Sequence, residues 1–290
     1  MKHTWSITLL LLGLFLLSHL IGFFIIKHYL PDNQALPFNI EKPNIEPNIS
    51  YIPIITSIIV ATLLALILAK FQAFRLWKFW FLLSIIFTLT LALGAFVSDW
   101  IALIIAIAAG LWKTFKPNPI IHNVTEVFVY GGLAAIFVPV LDFKSVSILL
   151  ILISIYDMIA VWKTKHMVSL AQFQNQTKVF AGLLIPYGRK ENVLPNKKIQ
   201  SGVTYTKVHI IENQAMLGGG DIGFSLLFSG VILKSTIGII PALIVSLCAA
   251  AALFGLFMIA EKKKFYPAMP FLTLGCFIGY MIIHYGLHYL

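Results

Sequence analysis

Long apolar runs follow one another along the chain, each closed by a short cluster of charged residues, prolines or asparagines. Within the runs apolar positions are continuous rather than alternating, which predicts helices and not the strands of a barrel. A helix crossing about 30 Å of hydrocarbon needs about 20 residues. Nine stretches qualify, at approximately 5–26, 51–69, 76–97, 99–112, 121–140, 145–162, 217–233, 236–260 and 267–288. The fourth is short, and the fifth contains Glu126 and Pro139. One long connection, residues 163–216, separates the sixth run from the seventh. Its first part, "KTKHMVSLAQFQNQTKVFAGLLIPYG", holds apolar stretches too short to span and suited to an interfacial helix. Its last part, "SGVTYTKVHII", is rich in Val, Thr, Tyr and Ile and reads as a strand. The chain thus divides into a six-helix part (1–162), a loop (163–216) and a three-helix part (217–290).

Composition agrees with this pattern. Of 290 residues, 59% are hydrophobic and 11% charged, against about 25% charged in soluble domains; the mean hydropathy is +0.92. The expected fold class is an all-α integral membrane protein. A formal net charge of +10 raises the question of a nucleic-acid partner, but the positions of the charges point instead to cytoplasmic loops. With the N-terminus inside, the inner segments hold 17 of the 21 Lys and Arg residues; only Lys27, Lys42, Lys144 and Lys234 fall outside. This segregation favours a multi-pass protein of the cell membrane with the N-terminus and the long loop cytoplasmic and the C-terminus outside. The opening "MKHTWSITLLLLGLFLLSHL" begins like a signal peptide, but its apolar run is too long and no small-x-small site follows, so a retained span is expected. Cys248 and Cys276 sit in apolar runs as small packing residues.

Two acidic residues break the apolar pattern at one depth. Asp157 precedes Lys163 by six residues at the inner end of the sixth run, and Asp221 follows the start of the seventh by four. At 1.5 Å per residue both carboxyls lie within roughly 10 Å of the cytoplasmic helix ends. A carboxylate in hydrocarbon costs about 2.5 to 3.5 kcal/mol on insertion scales, so its presence asks for a function. Two buried carboxyls facing each other do not both ionise easily and would share a proton. Such a pair can activate water and protonate a scissile carbonyl. Spacing alone leaves open peptide hydrolysis, a cation or proton pathway, and simple polar anchoring.

At these residues the chain resembles the presenilin and signal peptide peptidase family of intramembrane aspartyl proteases. "SIYDMIAVW", around Tyr156 and Asp157, is similar to the family's YD motif. "GGGD", from Gly218 through Gly219 and Gly220 to Asp221, is similar to GxGD, with Gly219 where Leu is usual. "KFYPAMPFLTLG" is similar to the PALP motif, with Pro267, Ala268, Met269 and Pro270 in its four places and Met269 for the usual Leu. A literal "PAL" at Pro241 lies at the wrong depth, in the outer part of the eighth run. Beside the motif, the three glycines weaken a first turn and let another backbone approach Asp221. Gly219 with Gly223, and Gly275 with Gly279, form small-xxx-small faces. Pro267 and Pro270 would delay the ninth helix and leave free carbonyls near the site.

The resemblance covers the whole chain and implies a nine-helix, presenilin-like fold, closest to the microbial presenilin homologues. It also implies an enzyme: an intramembrane aspartic endopeptidase with Asp157 and Asp221 as acid and base. Tyr156, the three glycines and the proline motif would shape the site. Implied partners are transmembrane-helix substrates and the bilayer, with no nucleic acid, cofactor or metal; homo-oligomers stay open and accessory subunits are not evident. An unwound substrate would pair with a strand edge in the long loop. The inward N-terminus fits presenilins better than signal peptide peptidases, as does Tyr266 where that branch has Gln before the proline. The alternative from another class is a cation-leak channel or proton-coupled transporter using the same aspartates, but the internal repeat typical of transporters is not evident. With no HExxH and no ligand spacing among the eight histidines, a zinc protease is not expected.

Overall fold

The computed structural model describes residues 4–31, 34–163, 173–174, 177, 179–187, 213–236, 238–261 and 266–286. Among them are nine α-helices: α1 (Trp5–Tyr29), α2 (Tyr51–Lys70), α3 (Phe74–Gly94), α4 (Asp99–Phe115), α5 (Pro119–Phe137), α6 (Phe143–Met158), α7 (Gly219–Ser235), α8 (Ile239–Ile259) and α9 (Met269–Gly286). A π-turn, Ile159–Lys163, extends α6. Seven of these helices, α6 counted with its extension, are long and apolar enough to cross a membrane. The other two, α4 and α7, have 17 residues each, at the lower limit for a span.

Local sequence accounts for the helix boundaries. Pro119 starts α5, where its missing N–H has no partner to lose, and the Asn118 side chain accepts from Ile120 N. Asp142 caps α6 by accepting from Ser145 N at 2.7 Å. Inside the helices, hydroxyls of Ser18, Thr88, Thr90, Ser147 and Ser229 turn back onto carbonyls four residues earlier. A hydroxyl satisfied within its own helix can sit in hydrocarbon without a loose polar group.

The main core runs through α1 and α5–α9, centred on residues such as Phe15, Phe23, Leu149, Phe228 and Leu253. By contrast, α2 buries Ile54 alone among its 20 residues. Trp80, Trp100, Ile104 and Leu63 are all at least half exposed, as expected of side chains facing lipid. Helices α8 and α9 pack closely at the second glycine pair, Gly275 and Gly279. A Cβ on Gly275 would stand 2.7 Å from the Cys248 carbonyl, and one on Gly279 2.7 Å from Val245 Cα.

The long loop differs from its expected form. Gly182–Tyr187 is a strand, β1, where an apolar stretch lying along the interface was expected. Leu183 and Ile185 are buried while Leu184 is only partly so and Pro186 is exposed, a period of two that suits a strand. It pairs antiparallel with β2, Asn213–Gly218, from Gly182 opposite Gly218 to Tyr187 opposite Asn213. The strand predicted within residues 201–211 lies outside the described residues. Because β2 takes Leu217 and Gly218, α7 begins two residues later than the apolar run indicates.

Candidate active site

Asp157 occupies the last turn of α6 and is 5% exposed. Its Oδ2 accepts from the Met269 backbone N–H at 3.2 Å, and the Ala268 N–H also hydrogen-bonds the carboxylate. These donors exist because α9 starts here. The first amides of any helix lack intrahelical acceptors, and the helix dipole favours a negative group beside them. Pro267 and Pro270 flank them without N–H groups, so the donors facing Asp157 are Ala268 and Met269. Of the carbonyls expected to be free at this segment, that of Ala268 is taken by Leu272 N at 3.1 Å, while Pro270, having no N–H, offers none to the Tyr266 carbonyl four residues earlier. A second tie between α6 and α9 lies one turn away, where the Ser154 and Thr273 hydroxyls meet at 2.7 Å.

Asp221 is the third residue of α7, partly buried, with Gly218 as the preceding cap. Its carboxylate receives the Gly218 backbone N–H, the reach-back of a capping box made within one turn. Gly218 has an extended backbone, φ −62° and ψ 143°, so its need for glycine is one of space: a Cβ would stand 3.1 Å from Asp221 Oδ2. At Gly219 a Cβ would meet the Tyr130 hydroxyl at 2.9 Å and the Ala181 carbonyl at 3.2 Å. At Gly220 it would find only the Phe224 ring at 3.7 Å. The close backbone approach expected from the glycine run is real at Gly219, whose N–H donates to Ala181 O at 3.1 Å.

The two carboxyls come from opposed helix ends, within electrostatic reach of each other. Of the sequence-selected residues, Gly218, Ala268 and Met269 touch an aspartate directly or by a hydrogen bond; Pro267 and Pro270 frame the donors. Tyr156 is half-buried beside Asp157.

Sequence reasoning missed the polar residues of α5. Lys113, from the last turn of α4, donates to Glu126, which also accepts from the Tyr130 hydroxyl. All three side chains are buried. In sequence Lys113 falls among the inner-segment charges and Glu126 interrupts the fifth apolar run. The available signal was the Glu126–Tyr130 spacing of four, which puts both on one helix face.

The family profile described as signal-peptide peptidase, presenilin aspartyl protease matches residues 12–286. Two crystal structures of a presenilin family intramembrane aspartate protease share the fold. The C222 form superimposes with a TM-score of 0.64 at 18% identity, covering 95% of this chain and 97% of that one. The P2 form gives 0.61 at 18%, covering 94% and 95%. No curated protein matches. A profile spanning nearly every described helix, matched by a fold shared end to end, decides the assignment: the chain belongs to the signal-peptide peptidase and presenilin family of aspartyl proteases.

Proposed function

We propose that this chain hydrolyses peptide bonds within transmembrane helices, as a GxGD-type intramembrane endopeptidase with Asp157 and Asp221 as the catalytic pair. The observation that carries this reading is two carboxyls on facing helix ends, Asp157 held by two backbone N–H groups and Asp221 by one, within reach of each other's charge. With one proton shared, the ionised member takes a proton from water as it attacks the scissile carbonyl. The protonated member donates to the carbonyl oxygen. Holding both carboxyls by backbone amides fixes how they face the attacking water.

A helical substrate hides its carbonyls and must unwind to be cut, which leaves polar groups unpaired in lipid at several kcal/mol each. The sheet offers a partner. In an antiparallel ladder, alternate residues turn their N–H and C=O away from the paired strand. On β1 that outward set includes Leu184, bonded by Asn123, so its opposite number Met216 faces outward on β2. Gly218, two residues on, faces the same way and reaches Asp221 with its N–H. An extended substrate added to this edge of β2 therefore lies alongside Asp221. The charge bias supports a cytoplasmic site with the N-terminus inside. No observation favours ion transport by the same pair.

The test is cleavage of a tagged transmembrane-helix substrate in lipid by wild type, Asp157→Ala and Asp221→Ala. Cuts within the apolar segment by wild type, and none by either variant, are expected. Equal turnover by all three overturns the reading.

A further inference from the structure

We propose that α5 is the positioning element for Asp221, working through Asn123 and Tyr130; the inference rests on the catalytic reading of Asp221. His122, Asn123, Glu126 and Tyr130 fall within an arc of about 100° on α5 at 100° per residue. That face looks at β1 and at the start of α7. The Asn123 amide takes both backbone groups of Leu184, accepting from its N–H at 2.9 Å and donating to its carbonyl at 2.8 Å. It meets β1 as a neighbouring strand would. His122 Nε2 donates to the Gly182 carbonyl at 2.7 Å. So β1 is fixed to α5 on one edge and to β2 on the other.

From β1 the constraint passes to the site in one step, because Ala181 O receives the Gly219 N–H. Tyr130 packs on Gly219 as well, its hydroxyl filling the space where a side chain would be. The phenol cannot swing away, since its proton is held by Glu126 and Glu126 is held by Lys113. Asp221 lies two residues beyond Gly219, in the same helical turn. The geometry thus gives the buried charges a job: they lock a hydroxyl that sets where α7 begins. Stability alone does not account for them, because a buried ion pair is often no better than apolar residues of similar volume.

Full-length variants in lipid vesicles test this with the transmembrane-helix substrate. Tyr130→Phe and Asn123→Ala are expected to lower kcat about tenfold or more at unchanged KM, with thermal unfolding near that of wild type. Glu126→Leu, which offers the phenol no acceptor, should fall with them. Lys113→Met combined with Glu126→Gln, which keeps an acceptor without charge, should recover most of the rate. Amide exchange supplies a readout independent of cleavage. The segment 213–224 should exchange about tenfold faster in Tyr130→Phe and Asn123→Ala, while α6 and α9 keep wild-type protection. If the exchange pattern holds but wild type cuts nothing, the catalytic reading fails and the brace stands. Wild-type kcat and wild-type exchange in both variants, or loosening spread evenly over all helices, overturns it.

Discussion

The two aspartates are held in opposite ways. Asp157 stands in the last turn of α6 and takes its donors from Ala268 and from Met269, the latter 112 residues further along the chain. Asp221 stands at a helix start and takes its donor from Gly218, three residues back, inside a junction that β1 and α5 brace. One position is therefore only as good as the docking of α6 on α9. The other is set by the α7 junction and its brace from β1 and α5, and does not depend on how α6 docks on α9. Precision in this site comes from the docking of two helices on one side and from a braced turn on the other.

The largest effects test what the two have in common. Asp157→Asn and Asp221→Asn, which keep shape and lose the acid–base group, should each reduce cleavage by about 10³-fold or more without unfolding the protein; circular dichroism and substrate cleavage on the same samples check this. An activity gap between them greater than tenfold would mean that one carboxyl does more of the proton transfer than a shared pair allows.

The next test strikes the locally built side. Gly219→Ala puts a Cβ 2.9 Å from the Tyr130 hydroxyl, so the α7 start must shift; a loss of about 10- to 100-fold in kcat is expected. Gly220→Ala, whose Cβ would only touch the Phe224 ring at 3.7 Å, should lose only a few-fold even though α7 gains a better helix former. Met216→Pro removes an outward N–H from β2 while leaving its ladder to β1 intact. It should raise KM several-fold at normal stability, and an unchanged KM would sink strand addition on that edge.

Smaller effects belong to the docked side. Thr273→Val leaves the Ser154 hydroxyl buried without its partner, at about 1 to 3 kcal/mol. Combining it with Ser154→Ala should recover most of that in thermal unfolding, as contacting pairs do. Cleavage by the single variant should fall in step with α6–α9 docking, read from exchange at the start of α9.

Helices and aspartates were legible because lipid imposes long apolar runs, against which a carboxylate stands out. The sheet was less so. "GLLIPY" has three consecutive aliphatic residues, Leu183, Leu184 and Ile185, and only its burial in the fold shows an alternation. Leu217 and Gly218 looked like the beginning of a span because Leu and Gly suit lipid as well as a strand. Prolines at Pro267 and Pro270 announced a late helix start, but which backbone groups that start would offer depended on the helix polarity at the site. Glu126 could not be explained from its own run, since its partner Lys113 sits across a helical hairpin, thirteen residues earlier.

That ion pair also bears on how the chain enters the membrane. Residues 116–118 alone separate α4 from α5. Glu126 lies about two turns into its helix, where an unpaired carboxylate would meet the insertion penalty alone. Carried in with α4 as one hairpin, it meets the Lys113 ammonium before either must face lipid. Biogenesis of this segment is then a two-helix event, with α4, short as it is, delivering the counter-charge that lets α5 partition.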